Sequence, residues 1–257
     1  SHENVSFEFS RQKWSKIEYL IFGAKIQIFQ LNLASLRNFV KNETFLSNFQ
    51  ALCIQGWDRL QKNQMPKENS KILLLGTGII GNLWMSLLHH HGYRNVIVSE
   101  LSEIRRQISR QLQTGFQIVS PDELRNFMPK SKAEAEVEGV DVIIDCTGSP
   151  KALEQAIAYV ARGATILVFG CAPVGQPMKI CPEEIFSKEL TIMGTMINPH
   201  TYGRTVCLVQ AMGSRYLDME KLGIEIHTLE NYKPAMDKLK RGEISKVMFD
   251  IKNSDLQ

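Results

Sequence analysis

Two short stretches of this sequence could do chemistry together. Lys71-Ile-Leu-Leu-Leu75 runs straight into Gly76-Thr77-Gly78-Ile79-Ile80-Gly81, and Glu100 closes the next apolar run, which begins at Val96. Gly76 lets a chain turn sharply out of a strand, Gly78 lets backbone N–H groups approach a pyrophosphate, and Gly81 lets the following helix pack against the strand. The N-terminus of that helix then faces the phosphates. Glu100 stands nineteen residues after Gly81, where a carboxylate accepts the hydroxyls of an adenosine ribose and repels a 2′-phosphate. The spacing therefore points to a nicotinamide dinucleotide, NAD(H) in preference to NADP(H). The rival reading of the same residues is a tight turn in a doubly wound sheet with no ligand.

Such a site needs parallel strands alternating with helices, and the hydrophobic pattern supplies them. Ile80, Leu83, Trp84, Leu87 and Leu88 recur at helical spacing, and Gly92 follows as a stop. Strand patterns fall at residues 71–75, 95–100, 116–119, 141–145, 165–169 and 190–194, with helical patterns at 79–91, 102–113, 151–161 and 182–187. This predicts an α/β chain: a Rossmann-type doubly wound parallel sheet of about six strands. Ligands in such sheets bind beyond the carboxyl ends of the strands. Three predicted ends carry small residues, Cys146-Thr147-Gly148-Ser149, Gly170-Cys171 and Gly194-Thr195. Gly148, Gly170 and Gly194 could let backbone approach ribose and nicotinamide, or could simply serve ordinary turns.

Beyond residue 200 the pattern gives helices at 201–212 and 232–240 and strands at 224–229 and 246–251. These strands fall outside the six and are expected to pair with something else. The first 65 residues differ in character: residues 25–28 alternate like a strand, 45–60 read as helical, and the polar run 61–70 around Pro66 is the best boundary. Three parts are expected, an N-terminal extension (1–65), a dinucleotide-binding domain (66–200) and a C-terminal α/β tail (201–257).

Bulk composition narrows the field. The chain has 257 residues, 44% apolar, with a net charge of +3. That suffices for one substantial core, and the scattered basic residues do not form a nucleic-acid footprint. No apolar stretch reaches the roughly 18–20 residues of a membrane span. Five cysteines, an odd number with no CxxC spacing, read as reduced thiols of a cytoplasmic protein. The chain begins with Ser1 and shows no secretory leader.

From about Ala51 to Ile251, roughly four fifths of the chain, the sequence resembles the cofactor-binding half of the medium-chain alcohol and polyol dehydrogenases, close to the sorbitol and threonine dehydrogenases. The resemblance rests on Gly76–Gly81, on Glu100-Leu-Ser-Glu-Ile-Arg105, on Asp141-Val-Ile-Ile-Asp-Cys-Thr-Gly148, on Asn198-Pro-His-Thr201 and on Lys246-Val-Met-Phe-Asp250. It implies that Gly76, Thr77, Gly78, Ile79, Ile80 and Gly81 hold the pyrophosphate, Glu100 the adenosine ribose and Arg105 the adenine face. Cys146, Thr147, Gly148, Gly170, Cys171, Thr195 and Ile197 would surround the nicotinamide end. It also implies a homodimer through the sheet edge near 165–169 and 190–194, and a tail that packs on an N-terminal catalytic domain. Without that domain the tail strands would leave unpaired edges, which residues 24–33 or a second chain could cover.

Family members hold a catalytic zinc in that domain, through Cys, His and often a carboxylate. No Gly-His-Glu stretch occurs, and Asn48-Phe-Gln50 stands where an acidic ligand is found in this branch. His89-His90-His91 are adjacent, so on a helix they point three ways instead of converging on one metal. They are expected to be polar residues at a helix C-terminus, and His200 a loop residue. No tyrosine has a lysine four residues on, and triad and phosphate-loop signatures are absent. Two readings remain: the NAD(H)-binding portion of a dehydrogenase acting on an alcohol or polyol, with its zinc site absent from this chain, or a catalytically inactive nucleotide- or partner-binding module.

Overall fold

The computed structural model describes residues 40–62 and 69–250. A long first helix, α1 (Val40–Lys62), precedes the alternating region. There follow β1 (Ile72–Leu75), α2 (Ile79–His90), β2 (Val96–Ser99), α3 (Glu103–Arg110) and β3 (Gln117–Val119). Next come α4 (Pro121–Leu124), α5 (Lys132–Glu138), β4 (Val140–Asp145), α6 (Pro150–Ile157), β5 (Val160–Val168), α7 (Pro182–Ser187) and β6 (Thr191–Gly194). The six strands form one parallel sheet in the order β3-β2-β1-β4-β5-β6. The order reverses between β1 and β4, which puts a crevice at the carboxyl ends of those two strands.

Alternation along the strands divides the core. Ile72 and Leu74 of β1, with Val142 and Ile144 of β4, face a cluster with α1, α2 and later helical residues. Leu73, Leu75 and Ile143 face the opposite layer, with Leu153, Ala156 and Ile157 of α6. Both faces being covered, β1 is apolar throughout. Helix α1 sits inside the first cluster through Leu46, Cys53, Ile54, Trp57 and Leu60. It approaches α2 so closely at Gly56 that a Cβ there would lie 2.7 Å from Trp84 Cζ2.

Two helices have no counterpart in the hydrophobic pattern. Helix α4 is too short for periodicity, but it carries a complete capping box: Ser120 accepts from Glu123 N–H, the Glu123 carboxylate accepts from Ser120 N–H, and Pro121 opens the first turn. Helix α5 is capped by Ser131, whose hydroxyl accepts from Glu134 N–H. Strand β5 starts at Val160, five residues ahead of expectation. Its pairing with β4 jumps from Val140↔Val160 to Val142↔Thr165, and the surplus residues bulge out around Gly163 at φ 76°.

The tail contains α8 (Tyr202–Tyr216), β7 (Ile224–His227), a single 3₁₀ turn, α9 (Tyr232–Arg241) and β8 (Lys246–Phe249). Helix α8 runs past the expected end, breaking at Gly213 with φ 55° and ψ −164°. The expectation that the last two strands pair elsewhere is corrected: β7 and β8 pair with each other in parallel, as a parallel pair joined by a helical crossover does. Residues 24–33, the suggested substitute strand, lie outside the described residues. No helix among the described residues is long and apolar enough to cross a membrane.

Leu60 is 1% exposed, so if α1 belongs to the cooperative core Leu60→Ala should lower the unfolding free energy by about 2–4 kcal/mol. Val137→Ala, at a position 83% exposed, should change it by less than about 0.5 kcal/mol. Urea titration checks both; an unmoved transition for Leu60→Ala would exclude α1 from the folding unit.

Candidate functional site

The turn after β1 shows why three glycines stand there. Gly76 has φ 86°, and its N–H donates to Ser99 C=O at 2.8 Å. A Cβ at Gly81 would lie 2.0 Å from the Gly76 carbonyl oxygen, inside any tolerable contact. Gly78, the N-cap of α2, has ordinary backbone angles, and a Cβ there would meet nothing within 4 Å. Gly76 and Gly81 are thus demanded by the fold itself. Gly78 is not; it leaves an open cradle in front of a helix N-terminus that no side chain caps.

Glu100 follows β2 and is buried. Its Oε2 accepts from Thr77 N–H at 2.8 Å and from Thr77 Oγ1 at 3.4 Å, while Oε1 accepts from Ser102 N–H at 2.9 Å. The carboxylate therefore ties the glycine turn to the start of α3. Two carboxylate oxygens offer about four lone-pair directions; with three taken, Oε1 can still accept from one ribose hydroxyl, and a second would have to displace the long Thr77 Oγ1 contact. Arg105, on α3, lies over the left-handed Gly242 that ends α9, and a Cβ at Gly242 would come 3.4 Å from Arg105 Nε. That Nε is buried with no hydrogen-bond partner among the described residues, a polar edge left for something else to meet.

At the ends of β4, β5 and β6 the loops pack on one another, backbone to backbone. A Cβ at Gly148 would lie 2.4 Å from Cys171 O, and one at Gly170 would lie 2.2 Å from Gly148 N. A Cβ at Gly76 would reach Thr147 Cγ2 at 2.9 Å, so the β4 loop also touches the glycine turn. Thr195 N–H donates to Val168 C=O, and the Thr195 hydroxyl is buried without a partner among the described residues. Ile197 is exposed and, although β-branched, has φ 58°, a strained geometry of the kind that clusters at ligand sites. Ile79 is buried and Ile80 half-buried along α2. Burial pushes the Cys146 thiol up, reinforced by the neighbouring Cys53 and Asp145, so it is a poor nucleophile, whereas the Cys171 side chain is exposed.

Sequence reasoning assigned no role to two residues here. Asp145 is buried and organises the β4 loop: Oδ1 accepts from Thr147 N–H at 2.9 Å and Oγ1 at 2.6 Å, and its carbonyl accepts from Phe169 and Gly170 N–H. Burial raises its pKa against these bonds. Its position at a strand end inside the Asp-Cys-Thr-Gly run was the available signal. Arg106 is the second: Nη1 donates to the carbonyls of Glu100 at 2.6 Å and Leu101 at 2.9 Å. Nothing in the residue types marks that contact.

Among the described residues no three His, Cys, Asp or Glu side chains are grouped closely enough to hold a metal ion. His89 is buried, with Nδ1 2.7 Å from the Tyr216 hydroxyl, while His91 Nδ1 bonds the Leu87 carbonyl. His200 lies in the loop before α8 with φ 59°.

A family model described as zinc-binding dehydrogenase matches residues 80–211, just over half of the chain. The chain belongs to this family. It is 24% identical over 214 residues to D-arabinitol dehydrogenase 1 of Uromyces fabae, covering 82% of this chain and 59% of that protein. It is 28% identical over 193 residues to the L-threonine 3-dehydrogenase of Pyrococcus furiosus, covering 73% and 53%. Among solved structures, it superposes on a Sinorhizobium meliloti 1021 protein described as a zinc-binding dehydrogenase and bound to NADP, with TM-score 0.64, 25% identity and 76% and 55% coverage. The chain thus spans little more than half the length of the curated relatives it matches.

The two kinds of glycine separate by experiment. Gly81→Ala should cost about 3 kcal/mol or more by overpacking, whereas Gly78→Ala should shift the unfolding free energy by less than about 0.5 kcal/mol, its Cβ entering open space; denaturant titration of both checks this. Burial lowers the pKa of both His89 and His91 below the ordinary 6.5. As pH falls through that value the unfolded chain binds protons that the folded chain resists, so stability drops with falling pH until the native histidines protonate too. His89→Gln should flatten part of that slope between roughly pH 7 and pH 5, read from melting temperatures.

Proposed function

We propose that this chain is the NAD(H)-binding half of an alcohol or polyol dehydrogenase. The dinucleotide would lie across the carboxyl ends of β1, β2, β4, β5 and β6. When bound, it supplies the carbon that accepts or gives up hydride. This chain's residues bind and orient it. The α2 N-terminus and the open face at Gly78 would take the pyrophosphate, Glu100 the adenosine ribose hydroxyls and Arg105 the adenine. Thr147, Cys171, Thr195 and Ile197 would border the nicotinamide. Zinc does not fit the described residues, which offer no ligand set, so alcohol activation is not assigned to any residue here.

One observation carries the reading: Gly78 is unfilled space that the fold does not require, and it sits beside a buried carboxylate already bonded to the same turn. Other glycines are equally open; what supports the reading is that this one stands at a helix N-terminus with no side-chain cap, beside Glu100. The NADP-bound relative makes the choice of dinucleotide a real question, and Glu100 favours NAD(H) because a carboxylate repels a 2′-phosphate.

Fluorescence titration of the chain with NADH should show saturable binding, weakened at least about tenfold by Gly78→Ala with the thermal transition unchanged. Absence of saturable NADH binding by the folded chain would overturn the proposal and favour the non-catalytic partner-binding reading.

A further inference from the structure

The turn that follows Glu100 holds more positive charge than its acidic residue suggests. Arg105, Arg106 and Arg110 lie on one short helix, all within ten residues of Glu100. In the Rossmann plan an arginine close after the ribose-binding acid is what receives a 2′-phosphate. By position alone, Arg106 is such a group: its guanidinium donates to the Glu100 and Leu101 carbonyls of the turn that would border the ribose.

Glu103 occupies that arginine. Its Oε2 accepts from Arg106 Nε at 2.9 Å and from Nη2 at 2.5 Å, and its Oε1 accepts from Arg110 Nη1 at 3.0 Å. The Arg106 side chain is only 11% exposed. Four of its N–H directions are thereby directed at oxygen atoms of the turn and of Glu103, out of the five a guanidinium has. The two arginines in turn hold the Glu103 carboxyl below the usual range, Arg106 contributing most, so the clamp stays charged at neutral pH.

We propose that Glu103 is a second determinant of dinucleotide choice: it sequesters and neutralises Arg106, so that a 2′-phosphate meets the Glu100 carboxylate without the Arg106 guanidinium to compensate it. This rests on the dinucleotide reading above and deepens it. Selectivity then has two parts. Glu100 supplies repulsion, and Glu103 withholds the compensating attraction. Removing Glu100 alone loses a ribose partner and leaves Arg106 clamped; removing Glu103 frees a guanidinium that matches phosphate in a planar, bidentate way.

The test is a set of NADH and NADPH titrations at low salt on the unmodified chain, Glu103→Gln, Glu103→Gln with Arg106→Ala, and Glu136→Gln. The last removes an equivalent charge on α5, from a surface pair with Arg162 of β5. Glu103→Gln should narrow the preference for NADH over NADPH by about tenfold, mainly by tighter NADPH binding. The gain should shrink as salt rises and vanish when Arg106 is also replaced. Glu136→Gln should leave the ratio where it was. If Arg106→Ala impairs folding, as a thermal melt would reveal, competition by 2′-AMP against 5′-AMP on Glu103→Gln alone gives the same comparison. An unchanged ratio in Glu103→Gln, with NADH still bound by the unmodified chain, overturns this inference and leaves the dinucleotide reading standing. No NADH binding by the unmodified chain overturns both.

Discussion

The seating of α2 on the turn after β1 is the contact on which most of this structure depends. Two peptide backbones approach there until even one carbon atom would not fit between Gly81 and the Gly76 carbonyl. That approach aims the start of α2 along the crevice between β1 and β4, where the strand order reverses. Everything else near the crevice is arranged around that fixed point. Glu100 reaches back to the turn from β2, and Thr147 touches it from β4. A looser helix would leave the buried Glu100 carboxylate without its Thr77 donors, and a buried charge lacking such bonds is costly.

The far side of the crevice is built by a different device. There the loops after β4 and β5 lie on each other through glycines, so neither has side chains between it and its neighbour. Asp145 holds the pair in register, taking Thr147 with its carboxylate and Phe169 and Gly170 with its carbonyl. The glycines at 148 and 170 are accordingly explained by chain packing, whether or not a ligand lies beyond them. Gly78 differs, because among the described residues no atom lies within 4 Å of where its Cβ would be.

Much of this was legible in the amino-acid sequence, and the reasons are physical. The strands of the sheet are buried on both faces and therefore read as short apolar runs, and α2 is long enough for its periodicity to show. The glycine turn and Glu100 are recognisable because backbone geometry leaves few alternatives at those positions. Helices α4 and α5 have no counterpart in the pattern, since neither is long enough to display a period, and the Ser120 and Glu123 capping pair of α4 becomes evident only in the structure. The early start of β5 was hidden by Arg162 and Gly163, which break the apolar run but are accommodated by a bulge. The pairing of β7 with β8 was misread because a strand's pattern reveals which face is buried and not which strand lies alongside. The roles of Asp145 and Arg106 depend on carbonyl groups brought near by the fold, and carbonyls are common to every residue.

The tail brings the end of the chain back to its middle. Gly223 packs against Ile108 of α3, Gly242 against Arg105, and Ser245 sits within reach of the buried Asn82 amide, 163 residues earlier, which also accepts from Ser109. Contacts so far apart in sequence close long loops, whose entropic cost grows only slowly with length. The side of the crevice beside Arg105 and Ile108 is thus completed by the residues that flank α9 and precede β7 and β8. A nascent chain that has made all six sheet strands still has an unfinished wall there.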